Sequence, residues 1–502
     1  MTNHLYEALF QPHAGSDRPF LILPEGEAVS YDRFLRLSAR YANALGALGL
    51  KPGDRVALQL EKSPHMLALI AAAIASGIIF LPLNTAYTAA EVSYFVRDAG
   101  ARLLLVDGAK VDALAPVAEE AGALCLSLNT DGSGTFGERA EGQPGQHTPV
   151  ARGPDDLAAF LYTSGTTGRS KGAMLSHRNL LSNAEVLTRE WRFTSEDVLL
   201  HALPIFHTHG LFVATNVALL AGCPMIFLPR FDAGQVLGLL PQATAMMGVP
   251  TFYMRLLADP RLDRALTRGI RLFVSGSAPL LAETHRQWQA RTGHTILERY
   301  GMTETNMNSS NPYEGERRAG TVGLPLPGVE VKVCDATGAE LPRGEVGVIE
   351  VRGPNVFQGY WQMPEKTREE LRADGFFITG DLGVMGEDGY LTIVGRAKDL
   401  IISGGFNVYP KEIEELLDAQ SGVTESAVVG VPHADFGEAV VAVVVADPAN
   451  RPEIATLRAA LARDLAKFKQ PKHIEIVSDL PRNTMGKVQK NLLRDRFKGL
   501  FG

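Results

Sequence analysis

Cysteine is scarce. The chain of 502 residues holds three, Cys125, Cys223 and Cys334. Their number is odd, their spacings are wide and no CxxC occurs, which excludes a disulfide framework and a zinc–cysteine site. A reducing compartment, the cytoplasm, is expected. Positive charge is not in excess either. Lys and Arg total 49 against 56 Asp and Glu, a net charge of −7. A nucleic-acid partner would call for a basic surface, so none is expected. Residues 1–10 lack a basic segment followed by an apolar run, and no signal peptide is read there. Long hydrophobic runs are missing too. Two uncharged stretches, 66–83 and 211–229, approach the ~18 residues of a spanning helix. The first is broken by Ser76-Gly77 ahead of Ile78-Ile79-Phe80-Leu81, the second by Ala221-Gly222 ahead of Met225-Ile226-Phe227-Leu228. Each reads as a buried helix, a glycine stop and a short buried strand, with no membrane partner.

Glycine, in contrast, is plentiful. There are 50, about a tenth of the chain against a usual ~7%, which implies many tight turns or close backbone approaches. Hydrophobic residues make up 45% and charged residues 21%, an ordinary globular composition. Helix and strand signals alternate. Ser30-Tyr31 opens an amphipathic helix, 55–60 reads as a strand, 90–99 as a helix and 102–106 as a strand, the βαβ rhythm of a parallel sheet. Residues 128–156 read as a surface connection without core periodicity. Ser176 is placed to cap a helix carrying Leu180, Ala184, Leu187 and Trp191 on one face. Residues 329–351 alternate as short strands with turns at Thr337-Gly338 and Arg343-Gly344. The expected fold is α/β. A large N-terminal domain, 1–394, combines parallel sheets with a β-rich subdomain, and a small mobile α+β domain follows over 395–502.

The sharpest motif is Tyr162-Thr163-Ser164-Gly165-Thr166-Thr167-Gly168-Arg169-Ser170-Lys171-Gly172, between a strand and a helix. Glycines and small hydroxyl residues let backbone N–H groups approach phosphate oxygens, and Lys171 offers compensating charge. The spacing is not that of a Walker A loop. His201, His207 and His209 lie close together without the spacing of a helix-borne zinc site. A metal site, a pocket wall or plain packing all stay open from the residues alone.

The phosphate-loop motif resembles that of the adenylate-forming superfamily: acyl-CoA synthetases, luciferases and peptide-synthetase adenylation domains. That superfamily's other motifs follow in order. Ser275-Gly276-Ser277-Ala278-Pro279-Leu280 resembles its adenine-side loop, and Glu298-Arg299-Tyr300-Gly301-Met302-Thr303-Glu304 its YGxTE segment. Thr379-Gly380-Asp381 resembles the ribose-binding TGD, and Gly395-Arg396-Ala397-Lys398-Asp399 the hinge, turning at Lys398. Gly404-Gly405-Phe406-Asn407-Val408-Tyr409-Pro410 resembles the loop that meets the pantetheine of CoA. Pro481-Arg482-Asn483-Thr484-Met485-Gly486-Lys487 resembles the catalytic-lysine loop.

The resemblance implies a two-step reaction. A carboxylate attacks the α-phosphate of ATP, and a CoA thiolate then attacks the acyl-AMP. It implies Lys487, Thr303 and His207 as catalytic residues. It implies Thr163, Ser164, Gly165, Thr166, Thr167, Gly168, Lys171, Ser277, Ala278, Pro279, Glu298, Arg299, Tyr300, Gly301, Met302, Thr303, Asp381, Arg396 and Lys487 around ATP. Gly404, Gly405 and Phe406 fall to CoA, and Thr163 and Glu304 to Mg²⁺, which takes hard oxygen ligands. Pro204-Ile205-Phe206-His207 matches the segment flanking the acyl pocket.

Within the superfamily the segments 201–210, 298–308 and 404–410 resemble most the members that activate malonate. Arg299 is the informative residue. An uncompensated buried guanidinium costs roughly 3–5 kcal/mol, and a second substrate carboxylate would accept its bidentate fork. Arg255 and Arg286 are alternatives for that role, with Ser277, His207 and Met307 as further pocket residues. Methylmalonate differs by one methyl, worth about 1–3 kcal/mol, so it is expected to be accepted. The competing readings are a CoA ligase for another small acid and an acyl-AMP ligase loading a carrier protein. A lysine acetyltransferase acting on Lys487 is a further partner this reading admits.

Overall fold

The computed structural model describes residues 2–163, 170–483 and 486–501. Two large sheets form the core of the N-terminal part. The first has six strands in the order Leu124–Ser127, Leu103–Val106, Arg55–Gln59, Ile79–Pro82, Leu157–Thr163 and Lys171–Ser176. All neighbours are parallel except the last pair, which is antiparallel. The second sheet has nine strands with a parallel centre. Leu297–Met302, Leu272–Ser275, Ala245–Gly248, Leu199–His201 and Met225–Phe227 run side by side there.

Both uncharged stretches form helix, glycine and buried strand. Pro64–Ala75 is buried along its length, Gly77 has φ +66° and Ile79–Pro82 follows as a strand. The second stretch begins with a π-helical segment, His209–Thr215, continues as Asn216–Ala221 and stops at Gly222 in the left-handed region. No helix among the described residues is long and apolar enough to cross a membrane.

Local signals account for the helix starts. Ser30 accepts a hydrogen bond from the Arg33 N–H and caps Tyr31–Ala47. Ser176 and Asn179 form a reciprocal capping box at His177–Glu190, whose Leu180, Ala184 and Leu187 are buried together with Trp191. The surface connection departs from expectation. It contains the helix Thr135–Ala140, whose Phe136 is fully buried edge-on against Tyr41. A single aromatic anchors that helix, so no periodicity announced it.

The β-rich region is a four-stranded antiparallel sheet of Glu330–Cys334, Val346–Arg352, Phe377–Met385 and Leu391–Arg396. A short turn, Ala397–Asp399, leads from its last strand into a separate five-stranded sheet. That sheet is built on the long hairpin Val423–His433 and Gly437–Ala446, covered by the helices Pro410–Asp418, Ile454–Asp464 and Lys490–Phe497. The three cysteines are free.

Candidate active site

The phosphate-loop residues Ser164, Gly165, Thr166, Thr167 and Gly168 lie outside the described residues. The strands on either side of them are described. Thr163 ends one, and its hydroxyl donates to Glu304 Oε1 at 3.2 Å. Glu304 follows Leu297–Met302 in the turn that contains Thr303, and burial raises its pKa. These are hard oxygen atoms in one place, a donor set that fits Mg²⁺.

Lys171 opens the other strand and is buried. Its ammonium donates to both carboxylate oxygens of Glu370 at 3.1 Å and stands 4.1 Å from the centre of the Tyr360 ring. The Tyr360 hydroxyl lies 2.6 Å from Glu370 and 3.1 Å from Glu304. The structure thus ties Lys171 into an acidic network. Tyr360 and Glu370 belong to no motif, and only the fold brings them in.

A second cluster gathers Tyr300, Asp381 and Arg396. The Tyr300 hydroxyl donates to Asp381 Oδ2 at 2.6 Å, and Arg396 Nε pairs with Asp381 Oδ1 at 2.7 Å. A carboxylate has about four acceptor sites, so Asp381 keeps capacity for a diol. Burial lowers the Arg396 pKa, but Asp381, Tyr300 and Glu304 outweigh it and leave the group raised.

Lys487 reaches the same cluster from the C-terminal sheet. Its side chain is open to the cleft, yet its pKa is pushed down to about 8, first by loss of bulk water and then by Arg396 and Lys398. Asp381 and Asp399 act in the opposite direction. Gly486 lets this loop seat against the N-terminal part, since a Cβ there would lie 2.9 Å from the Thr251 side chain. Lys398 is exposed in the connecting turn. Gly404, Gly405 and Phe406 stand on an exposed hairpin, with Phe406 56% exposed and stacked on Phe468 at 4.6 Å.

The third cluster surrounds Arg299. It is 3% exposed, and its Nε and Nη2 have no hydrogen-bond partner among the described residues. Burial lowers its pKa to about 9, which still leaves it charged at neutrality. Gly276 makes room for it: a Cβ there would sit 2.4 Å from the guanidinium carbon and 2.6 Å from Nε and Nη1. Beside it, His209 Nδ1 lies 3.2 Å from the Ser277 hydroxyl, while its Nε2 is buried and unpaired. Ser277 has φ +72°, a strained value for a side-chain-bearing residue. Burial, with Arg299 adding, holds the His209 pKa well below the usual range, and burial takes His207 to about 4. Glu298 is pushed by burial to about 7. Its Oε1 accepts from the Leu280 N–H at 3.2 Å and its Oε2 is unpaired. Ala278 and Pro279 lie in the loop between. Met307 pairs with Gly301 across the neighbouring strands and is buried, while Met302 is half-buried at the strand end.

Two further arginine candidates are more exposed than Arg299. Arg286 is exposed and pairs with Glu283 at 3.1 Å, one turn away on its own helix. Arg255 is exposed on Pro250–Leu257, whose buried side carries Tyr253 and Leu256. Arg255 shares a helix face with Thr251, which meets the Lys487 loop at Gly486, and Arg299 alone of the three is buried. The histidines separate as well. His201 directs its ring nitrogens at Lys62 and at the Gly210 carbonyl, whereas His209 faces Arg299. Among the described residues no group of His, Cys, Asp and Glu is arranged to hold a metal.

The close approach at Gly276 makes a prediction. Gly276→Ala forces the guanidinium aside. A misplacement near 1 Å costs up to about 10²-fold, so kcat/KM for the carboxylate is expected to fall roughly 10–100-fold. The melting temperature, measured on the same variant, should stay close to the parent value.

The family described as AMP-binding enzyme matches residues 10–361, and the one described as AMP-binding enzyme C-terminal domain matches 412–487. The chain belongs to the AMP-binding enzyme family. Among AMP-binding enzymes of known structure, it is 56% identical to MatB from Rhodopseudomonas palustris over 100% of both chains. The TM-score is 0.98 with the ATP-bound crystal structure and 0.87 with the apo one. Its domain arrangement is therefore nearer to that of the ATP-bound form. A malonate–CoA ligase of Arabidopsis thaliana is 34% identical over 538 residues, 98% of this chain and 88% of that protein. A feruloyl-CoA synthase of an Amycolatopsis species is 37% identical over 494 residues, 98% of this chain and 97% of that protein.

Proposed function

We propose that the protein converts malonate, ATP and CoA to malonyl-CoA, AMP and diphosphate through malonyl-adenylate, and that it also accepts methylmalonate. The class of the reaction, an AMP-forming acid–thiol ligation, follows from the family and its CoA-ligase members. The observation that carries the choice of acid is Arg299, a buried guanidinium with unpaired Nε and Nη2 next to the unpaired Nε2 of His209. A free carboxylate on the acyl group supplies the missing acceptors. Feruloyl and other apolar acyl groups would leave that charge buried and uncompensated.

In this reading the reacting carboxylate of malonate faces the α-phosphate, with Lys487 and Thr303 around it. Lys487 places positive charge where charge accumulates in the transition state. Asp381 binds the ribose diol through its remaining lone pairs. Thr163 and Glu304 hold Mg²⁺, which when bound neutralises phosphate charge. After adenylate formation the C-terminal domain turns about Lys398 and brings Gly404–Phe406 toward the acyl carbonyl for CoA. The cleft-side exposure of Lys487 also leaves it open to a lysine acetyltransferase, which would remove its charge.

The test is ATP–pyrophosphate exchange over short mono- and dicarboxylic acids, followed by identification of the CoA thioester. Malonate is expected to support the highest kcat/KM, with methylmalonate next. A preference for acetate or for an aryl acid would discard this reading. Transfer to a carrier protein in place of CoA would replace the acceptor.

The hinge has its own test. A proline fixes φ near −65°, a value the 3₁₀ turn at Ala397–Asp399 accepts. Lys398→Pro should therefore hold the present orientation. Adenylation is expected to persist while CoA transfer from preformed malonyl-AMP falls by at least about tenfold. Equal loss in both half-reactions of a folded variant would place the hinge elsewhere.

A further inference from the structure

One buried cation is used by none of the chemistry above. Lys62 stands between the strand Arg55–Gln59 of the six-stranded sheet and the helix Pro64–Ala75. It is 8% exposed, and among the described residues no charged partner offsets its burial. Its ammonium donates to the His201 carbonyl at 2.8 Å, lies 2.9 Å from His201 Nδ1 and stands 4.3 Å from the Phe227 ring centre. His201 ends a strand of the other large sheet and is fully buried. Its Nε2 lies 2.9 Å from the Gly210 carbonyl. A carbonyl only accepts, so Nε2 carries the ring proton and Nδ1 is the bare nitrogen that accepts from Lys62. One tautomer satisfies both bonds, and Lys62 selects it.

The far end of this chain lies at the acyl pocket. Gly210 is in the first turn of the π-helical segment His209–Thr215, and its carbonyl also accepts from the Thr215 hydroxyl at 2.9 Å. The turn is packed against the preceding loop, since a Cβ on Gly210 would be 2.0 Å from the Pro204 carbonyl oxygen. The residue before Gly210 is His209, whose Nε2 stands unpaired beside Arg299. The link Lys62–His201–Gly210 thus runs from one sheet, across the end of the other, to the backbone that carries His209.

We propose that Lys62 is a positioning residue for acyl selection: through His201 it fixes the Gly210 carbonyl and so holds His209 against Arg299 where a distal carboxylate is recognised. This rests on the dicarboxylate reading above. Lys62 touches neither ATP nor the reacting atoms in that arrangement. Its loss should act on selection of the acid and on its KM.

The test compares Lys62→Met with the parent chain, full length, by ATP–pyrophosphate exchange with malonate and with acetate. For malonate, kcat/KM is expected to fall at least about tenfold, mainly through KM, as misplaced binding groups do. Acetate turnover and the KM for ATP should stay within about twofold, since neither uses the distal site. In ¹⁵N-histidine spectra the His201 Nδ1 signal should move toward that of an unbonded imidazole nitrogen. His201→Phe keeps the ring, which lies edge-on to Phe227 at 5.4 Å, but loses both nitrogens, so it should reproduce the effect even if Lys62→Met does not fold. His201→Gln, with one acceptor and one donor, should restore part of the selectivity. Parallel loss with malonate and acetate would make Lys62 a merely structural tie and overturn the proposal, as would an unchanged malonate KM. An unchanged malonate-to-acetate ratio in Arg299→Ala would overturn the dicarboxylate reading instead, so the two failures are separable.

Discussion

Lys487→Ala is expected to lose adenylation while keeping thioester formation. The ammonium lies among Arg396, Lys398, Asp381 and Asp399, where the ATP α-phosphate is proposed to sit. Removing one preorganised electrostatic group costs roughly 10²–10³ in rate, and a full charge can exceed that. Malonate-dependent ATP–pyrophosphate exchange should fall by at least this factor. Preformed malonyl-AMP should still react with CoA at close to the parent rate. A parallel fall in the second step would remove Lys487 from the first. The pH profile gives a second check. The group has a pKa of about 8 and acts when protonated, so kcat/KM for ATP, which reports the free enzyme, should decline as pH rises through that value. In Lys487→Arg the decline should vanish, because a guanidinium stays charged across the range.

Arg299→Ala is expected to cut kcat/KM for malonate far more than for acetate. A hydrogen bond to a charged group contributes about 1.5–3 kcal/mol, and a bidentate pair can exceed it. At ~1.4 kcal/mol per decade the malonate loss is at least tenfold and reaches beyond a hundredfold. Acetate has no second carboxylate to lose. Arg299→Lys should recover only part of the activity, because an ammonium lacks the fork. Thermal melting separates this from unfolding, since a structural arginine would lower stability and activity together. A stable alanine variant with an unchanged malonate-to-acetate ratio would refute the assignment.

The sequence was legible where chemistry repeats locally. Caps at Ser30 and Ser176, the glycine stop at Gly222 and the order of the loops that converge on Asp381 could be read from neighbouring residues. What escaped depends on contacts distant along the chain. Lys171 stands in a local motif, but its partner Glu370 lies far along the chain. Lys62 lies in a segment with no motif, and its partner His201 comes from another sheet. In sequence Arg299 stood first among three arginine candidates, ahead of Arg255 and Arg286. What sequence could not show is their burial: Arg255 and Arg286 are exposed, while Arg299 lies between Glu298 and Tyr300 on a strand where all three are buried. Phe136 shows the converse, a single anchoring side chain in a segment otherwise read as loop.

The lack of a partner among the described residues for Nε and Nη2 of Arg299 also has a thermodynamic side. A folded chain that buries a charge without an acceptor holds free energy that the unfolded chain does not, because water solvates the group there. Whatever supplies the acceptor releases that free energy, so ligand binding and folding become linked through one side chain. In the dicarboxylate reading, malonate should then raise the melting temperature more than acetate does. In that reading an apolar residue at 299 would raise the stability of the empty protein while removing its preference, so selectivity would be held at the expense of resting stability.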